Sequence, residues 1–340
     1  MDRVGITIGG IIVYDYIKII DNYPKVGQLA NILSMGYSVG GAVPNTLIDL
    51  ARMDNTIFLQ AIGMIGNDEA GKYVLEILKK NNINTEMVYI QNNAATSFTD
   101  DVVIESTGER TFFHYRGANT LLDISHFDFA KIHSKILHIG YPLLLDRLDS
   151  EDIQYGTKLA RLFSIAQKQN IETSIDLVSE NSDRFSKIVP PALKYTDYCT
   201  INEIEASLTT NIPLRNITGK LIINNMKKVC FKLKEMGVRR WVIVHCPEGT
   251  FALDEDDNYY IQPSFDLPKD YIKGTVGAGD AFCAGILYSV YQGWNMSTAL
   301  KVGTASATAC LSKSGTTDGI SNIKNMMKLF DYFPPRKLGE

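Results

Sequence analysis

The 340-residue chain has 45% hydrophobic and 21% charged residues and a formal net charge of -4. That is the composition of a water-soluble globular enzyme and excludes a disordered or fibrous chain. Mild acidity and the lack of a long Lys/Arg run argue against a nucleic-acid partner and for small-molecule chemistry. The five cysteines, Cys199, Cys230, Cys246, Cys283 and Cys310, are scattered and odd in number. With neither C-x-x-C zinc spacing nor a disulfide framework, they read as reduced core thiols.

Met1-Asp2-Arg3 runs directly into the apolar stretch Val4 to Ile8 without a signal-peptide h-region and cleavage site. No segment approaches eighteen uncharged apolar residues, so a cytoplasmic location with no membrane association is expected. Two stretches then interrupt an otherwise regular α/β rhythm: Tyr14 to Tyr37, and Ala94 to Arg116. In the second, Thr96-Ser97-Phe98-Thr99 and Thr111-Phe112-Phe113-His114-Tyr115 flank the turn residues Ser106 to Glu109, a β-hairpin pattern. Strands without intervening helices are expected to form a small separate sheet, a lid over a site.

The rhythm itself is carried by Lys135 to Gly140, a helical stretch Asp152 to Gln169, then Ile171 to Asp176 and Tyr198 to Ile201. Such strand-helix alternation predicts a parallel sheet. A helix from about Lys220 to Met236 is stopped by Gly237, and Trp241 to His245 is apolar at nearly every position, as a central strand covered on both faces would be. His138 and His245, each ending an apolar strand, read as core histidines. Nothing in composition cuts the chain, so a single domain over 1–340 is expected, with lid segments about 11–40 and 94–117 inserted.

Gly274-Thr275-Val276-Gly277-Ala278-Gly279-Asp280 places small residues immediately before a helical pattern from about Asp280 to Tyr291. Backbone amides converging at a helix N-terminus favour anionic charge. A carboxylate at Asp280 faces the same space and can accept the proton of an attacking hydroxyl while the amides of Gly277, Ala278 and Gly279 hold the transferring phosphoryl group. The bland alternative is a glycine turn with Asp280 as N-cap. Neither the Rossmann G-x-G-x-x-G context nor a Walker G-x-x-x-x-G-K-[ST] is present, which disfavours a nicotinamide enzyme or a P-loop ATPase.

Gly277-Ala278-Gly279-Asp280 resembles the G-A-G-D signature of ribokinase-like (PfkB) carbohydrate kinases. Gly40-Gly41-Ala42-Val43-Pro44-Asn45, leading into Thr46 to Met53, is similar to that family's early G-G-x-x-x-N element, and Asn202-Glu203-Ile204-Glu205 to its N-x-x-E. The resemblance implies a three-layer α/β/α sandwich with a central, mostly parallel sheet, the site at strand carboxyl ends and a β lid over the sugar. It implies transfer of phosphoryl from ATP to a primary hydroxyl of a sugar or sugar acid, with Asp280 as base and the 277–279 amides as anion hole. Asp15, Gly40, Gly41 and Asn45 would bind acceptor. Arg116, in a segment similar to the Y-x-R of sugar-acid members, would meet an acidic group, with a structural salt bridge as its alternative. Asn202, Glu205, Thr275, Gly249 and Gly315 would serve the nucleotide, Glu205 organising Mg2+ through water.

Several positions depart from the family pattern. Gly274 stands where members generally have Asp, which removes the carboxylate that supports a monovalent cation and leaves backbone carbonyls of 310–315 as weaker ligands for potassium. Ala42 replaces a lysine of ribokinase itself. His245-Cys246-Pro247-Glu248-Gly249 keeps only the last glycine of the usual T-x-G-x-x-G, and Asp176-Leu177-Val178-Ser179-Glu180 only the first residue of D-x-N-x-R. A nucleoside kinase reading bases with Tyr14, Tyr16 and Phe98 is the alternative enzyme, and a sugar-binding regulator without turnover the alternative class. An open lid edge invites a homodimer through the lid.

Overall fold

The computed structural model describes residues 3–180 and 182–338. β1 (Ile6–Gly10) leads into β2 (Val13–Ile20) and β3 (Ile32–Gly40). Then come α1 (Ala42–Met53), β4 (Leu59–Gly66), α2 (Glu69–Lys80), β5 (Asn84–Gln91), β6 (Phe98–Ile104) and β7 (Arg110–Tyr115). β8 (Ile136–Gly140) is followed by α3 (Asp146–Asp149), the short pair β9 (Glu151–Asp152) and β10 (Gly156–Thr157), α4 (Lys158–Lys168), β11 (Glu172–Ile175) and α5 (Phe185–Leu193). The last third contains β12 (Tyr198–Asn202), α6 (Glu203–Thr210), α7 (Ile223–Glu235), β13 (Trp241–Cys246), β14 (Gly249–Leu253) and β15 (Tyr259–Pro263). Four helices close the chain: α8 (Ala278–Tyr291), α9 (Met296–Leu311), α10 (Ile323–Met327) and α11 (Leu329–Tyr332).

Nine strands form the central sheet in the order β15-β14-β13-β12-β11-β8-β1-β4-β5. Every neighbouring pair from β13 to β5 is parallel, and β14 and β15 are added antiparallel at one edge. Strand alternation sends successive side chains to opposite faces, and both faces are apolar. Leu137, Ile139, Val242 and Val244 pack with Leu162 and Phe163 of α4, whereas Ile136, Trp241 and Ile243 pack with Leu47 of α1, Ile286 of α8 and Leu300 of α9. Burying a ring such as Phe163, which is fully enclosed, stabilises the fold by about 1.5–3 kcal/mol. The result is the three-layer sandwich that the resemblance implied.

The lid is a separate four-stranded sheet, order β3-β2-β6-β7, with β2 and β6 parallel and the outer pairs antiparallel. Two element starts differ from the sequence reading for reasons that the local chemistry shows. The helix expected from Asp152 begins only at Lys158, because the Asp152 carboxylate accepts from the Gln154 and Tyr155 N–H groups and turns the chain, Gly156 sits at φ +87°, and Thr157 caps the helix by accepting from Ala160. Conversely, α1 begins at Ala42 rather than Thr46: Pro44 falls in its first turn, where a missing N–H costs nothing, so Asn45 lies inside the helix.

Candidate active site

The strand ends and helix starts converge beside α8. Gly277 is its N-cap at φ +84°, a conformation that admits glycine, and a Cβ there would meet the Thr316 carbonyl at 2.5 Å. Asp280 is the third helical residue and caps nothing. Instead its carboxylate accepts from Asn45 Nδ2 (2.8 Å) and from the Tyr141 hydroxyl (2.7 Å). Among the described residues the Gly279 and Asp280 N–H groups have no acceptor, so the helix start presents unsatisfied donors with its positive dipole end.

Asn45 is itself oriented by Thr316 Oγ1, which donates to Asn45 Oδ1 at 3.0 Å. Tyr141 directly follows β8 and holds φ +61°, a sparsely populated conformation for a bulky residue and one that clusters at functional sites. Burial raises the Asp280 carboxyl above its ordinary value, and the hydrogen bonds from Tyr141 and Asn45 counter that rise.

A chamber of about 200 Å³ lies against Asp280 and is lined by Tyr141, Asp176, Ser179, Asn202, Glu205 and His245. Asn202 and Glu205 form a reciprocal cap at the start of α6. Glu205 Oε1 accepts from Asn202 Nδ2 (2.7 Å) and Ser179 Oγ (2.9 Å), and burial still pushes its carboxyl up to about 7. Asp176 is raised well above the carboxylate range by burial and by the charges of Asp280 and Glu205, and its Oδ1 has no partner among the described residues. An orphaned buried carboxylate oxygen beside a second carboxylate suits a hard divalent cation, which takes oxygen ligands and keeps its waters.

Asn202, His245 and Gly279 also line a larger cleft of about 460 Å³. Its walls include Leu267, Ile272, Phe282, Ala307 and Leu311, an apolar slot leading to the amide-rich end of α8. The His245 ring stacks on Phe282 at 4.9 Å, and burial lowers its imidazole to about 4, so it is neutral. A flat apolar slot that opens onto a helix N-terminus and a carboxylate is the shape of a nucleotide site for phosphoryl transfer.

Comparison with known proteins agrees with this geometry. The sequence matches the pfkB family carbohydrate kinase pattern over residues 6–323. The chain belongs to the pfkB family of carbohydrate kinases. It is 22% identical over 312 residues to 5-dehydro-2-deoxygluconokinase of Geobacillus thermodenitrificans, covering 86% of this chain and 84% of that one. It is 24% identical over 282 residues to ribokinase of Dictyostelium discoideum, covering 82% and 84%. Arabidopsis thaliana ribokinase complexed with ribose and ATP has the same fold at a TM-score of 0.78 and 20% identity, over 97% of this chain and 99% of that one. A Methanocaldococcus jannaschii nucleoside kinase superposes at 0.74 with 17% identity, covering 98% and 100%. As a pfkB family member the protein is an ATP-dependent carbohydrate kinase. Among the described residues no helix is long and apolar enough to cross a membrane.

Of the positions expected in this pfkB site, Asn202, Gly249, Thr275, Ala278 and Gly279 line the large cleft, and Glu205 and Asp280 the chamber. Gly315 lines neither and packs against the Asp318 carboxylate. Asp15 lies against Gly40: a Cβ at Gly40 would lie 1.9 Å from its Oδ2, so the glycine makes room for the carboxylate, whereas a Cβ at Gly41 would meet the Ile11 carbonyl. Burial, and then the charge of Asp101, push Asp15 up to about 7.

Arg116 is engaged elsewhere, paired with Asp146 and, at 3.6 Å, with Glu180. That is the salt bridge weighed as its alternative, and an acidic substrate would have to exchange for those carboxylates. Four residues at the site had been given no part in it: Tyr141, Asp176, Ser179 and His245. Tyr141 and Asp176 each follow the carboxyl end of a parallel strand, where open α/β sheets bind ligands. His245 shares the α8-facing alternation of Trp241 and Ile243. Those two patterns were the available signals.

Proposed function

We propose that the protein transfers the γ-phosphoryl group of ATP to a primary hydroxyl of a sugar or sugar acid, with Asp280 as general base. The observation that supports this reading best is the Asp280 carboxylate, fixed by two donors at the junction of the nucleotide cleft and the small chamber, beside the free amides of α8. The adenine would occupy the apolar slot, with Asn202, Thr275 and Gly249 along its path and Gly315 behind the loop that carries Thr316. The acceptor would bind under the lid against Asp15, Gly40, Gly41 and Asn45.

The acceptor oxygen bonds to the γ-phosphorus as its proton passes to Asp280. The bond to the β-bridging oxygen breaks and ADP leaves. Gly277, Ala278 and Gly279 supply the amides that stabilise charge on the transferring group, and their fixed orientation costs no reorganisation during transfer. Mg2+, when bound, neutralises phosphate charge, and Glu205 would hold it through water beside Asp176 and Asn202. The test is ADP release with Mg-ATP against a panel of sugars, sugar acids and nucleosides. Turnover on a sugar or sugar acid is expected, whereas binding without turnover on any acceptor would favour a regulator.

A nucleoside acceptor gains little from the lid. Tyr14, Tyr16 and Phe98 were its base-reading residues, yet alternation along β2 turns Tyr14 and Tyr16 away from the Asp15 face. Tyr14 instead contacts Tyr16 (4.8 Å), Tyr73 of α2 (5.5 Å) and Tyr37 (5.8 Å), and Phe98 contacts Tyr115 (5.2 Å). That outer face leaves Met35 67% and Tyr37 60% exposed on β3, an edge strand of the lid, and apolar side chains on an open sheet edge invite a partner. We propose pairing of two copies through the lid. Light scattering on the eluted protein should report a dimer, and Met35→Glu should shift it to monomer.

A further inference from the structure

The chain continues past residue 323, where the family match ends, and its last described residues return to the nucleotide cleft. The Phe333 ring lies 5.0 Å from Tyr271 and 6.2 Å from Phe265, and Phe265 meets Phe330 at 4.6 Å. Beyond this anchor the chain runs antiparallel to 264–266. Asp266 N–H donates to the Pro334 carbonyl (2.9 Å), Arg336 N–H donates to the Ser264 carbonyl (2.7 Å), and Phe265 and Pro335 bridge. Consecutive prolines keep this stretch extended.

Arg336 Nη1 donates to the Pro247 carbonyl (2.9 Å), which also accepts from Ser264 Oγ (2.7 Å). Pro247, Ser264, Phe265 and Arg336 line the large cleft and not the chamber around Asp280. With the phosphates read at the amide end of α8, these residues are taken to face the nucleoside end of the cleft. A guanidinium carries five N–H donors and no acceptor; with one nitrogen on Pro247, the rest of the fork has no partner among the described residues and faces the cleft that Arg336 lines.

We propose that residues 333–336 are a built part of the nucleotide site and that Arg336 donates hydrogen bonds to the base-and-ribose end of the bound nucleotide. The proposal rests on reading the cleft as the ATP site. The phosphates lie at the α8 end, so the contact adds affinity for the nucleoside moiety and none for the polyphosphate.

Calorimetry on the full-length protein tests this with ADP, AMP and tripolyphosphate as probes. Arg336→Ala should weaken ADP and AMP alike by about five- to tenfold, the size of a charge-assisted hydrogen bond at a partly solvated rim. It should leave tripolyphosphate binding unchanged, and in turnover assays raise the KM for ATP without moving the KM for acceptor. Phe333→Ala, which releases the anchor, should act in the same direction. If that variant unfolds, Arg336→Ala alone decides. ADP affinity in Arg336→Ala within twofold of the unaltered protein would overturn the proposal while leaving the nucleotide reading intact. Failure of the unaltered protein to bind ADP would remove both.

Discussion

The floor of the site and its lid are built differently. At the floor, every group that touches Asp280 is held by the core: Asn45 lies in a buried helix and is oriented by Thr316, and Tyr141 is pinned at a positive φ where β8 ends. The lid carries Asp15 on its inner face and half-exposed rings on its outer face, and it touches the sandwich through β3 against α1 and β2 against α2. A preorganised floor suits the chemical step, which gains only from groups already in place. A lid sheet with few anchors suits acceptor choice. Floor substitutions should therefore act on kcat, and lid substitutions on the KM for acceptor.

The largest effect should follow Asp280→Asn, which keeps the shape and removes the proposed base. Loss of about 10²–10⁴ in kcat is expected, with acceptor binding retained. A rate within tenfold of the unaltered enzyme would break the assignment of the floor. On the lid, Asp15→Asn should raise the KM for acceptor by roughly tenfold, the worth of one hydrogen bond to a charged group, with kcat little changed.

Asp15 carries a second consequence. Its carboxyl is raised to about 7 in the folded protein, from 3.8. Its contribution to stability is therefore full below pH 3.8 and lost as pH rises through about 7. The ligand-free protein should melt at lower temperature at pH 8 than at pH 5, and Asp15→Asn should flatten part of that slope in a thermal scan.

Tyr141→Phe tests the floor more gently. Burial raises Asp280 and the Tyr141 hydroxyl lowers it again. Without that donor the carboxyl should titrate higher. A general base works when deprotonated, so the acid limb of the pH–rate profile should move to higher pH. The rate lost on that limb should be recovered as the pH is raised. An unmoved limb would mean that Tyr141 only packs.

The comparison between floor and lid also marks what the sequence could convey. Gly277 to Asp280, Gly40 to Asn45 and Asn202 to Glu205 were readable because each is a short local pattern in which small or capping residues start a helix. The two-stretch lid was readable because strands without helices broke the α/β rhythm. Tyr141, Asp176 and His245 belong to the floor through tertiary convergence: they come from three different strands, and only the sheet order brings them to Asp280. The pairing of Arg116 was hidden for the same reason. Its partners Asp146 and Glu180 are 30 and 64 residues along the chain, and pairing at that range leaves no local mark. Arg336, proposed above to meet the nucleotide, follows two consecutive prolines, and such a stretch has no periodicity to read.

The smallest effect expected belongs to the cation. A Cβ at Gly274 would lie 3.0 Å from the Lys313 carbonyl and 3.1 Å from that of Ser314, so the residue sits against backbone oxygens while bringing no carboxylate of its own. Neutral carbonyls hold a monovalent cation only weakly, because nothing offsets its charge or the water it surrenders. Replacing potassium by a bulky organic cation at constant ionic strength should change kcat less than about twofold. A Gly274→Asp substitution, placed against the same two carbonyls, should then introduce potassium dependence if the loop can shift by the few tenths of an ångström the new side chain needs. Strong potassium activation of the unaltered enzyme would show that carbonyls alone suffice, and would move the cation from the margin of this site to its floor.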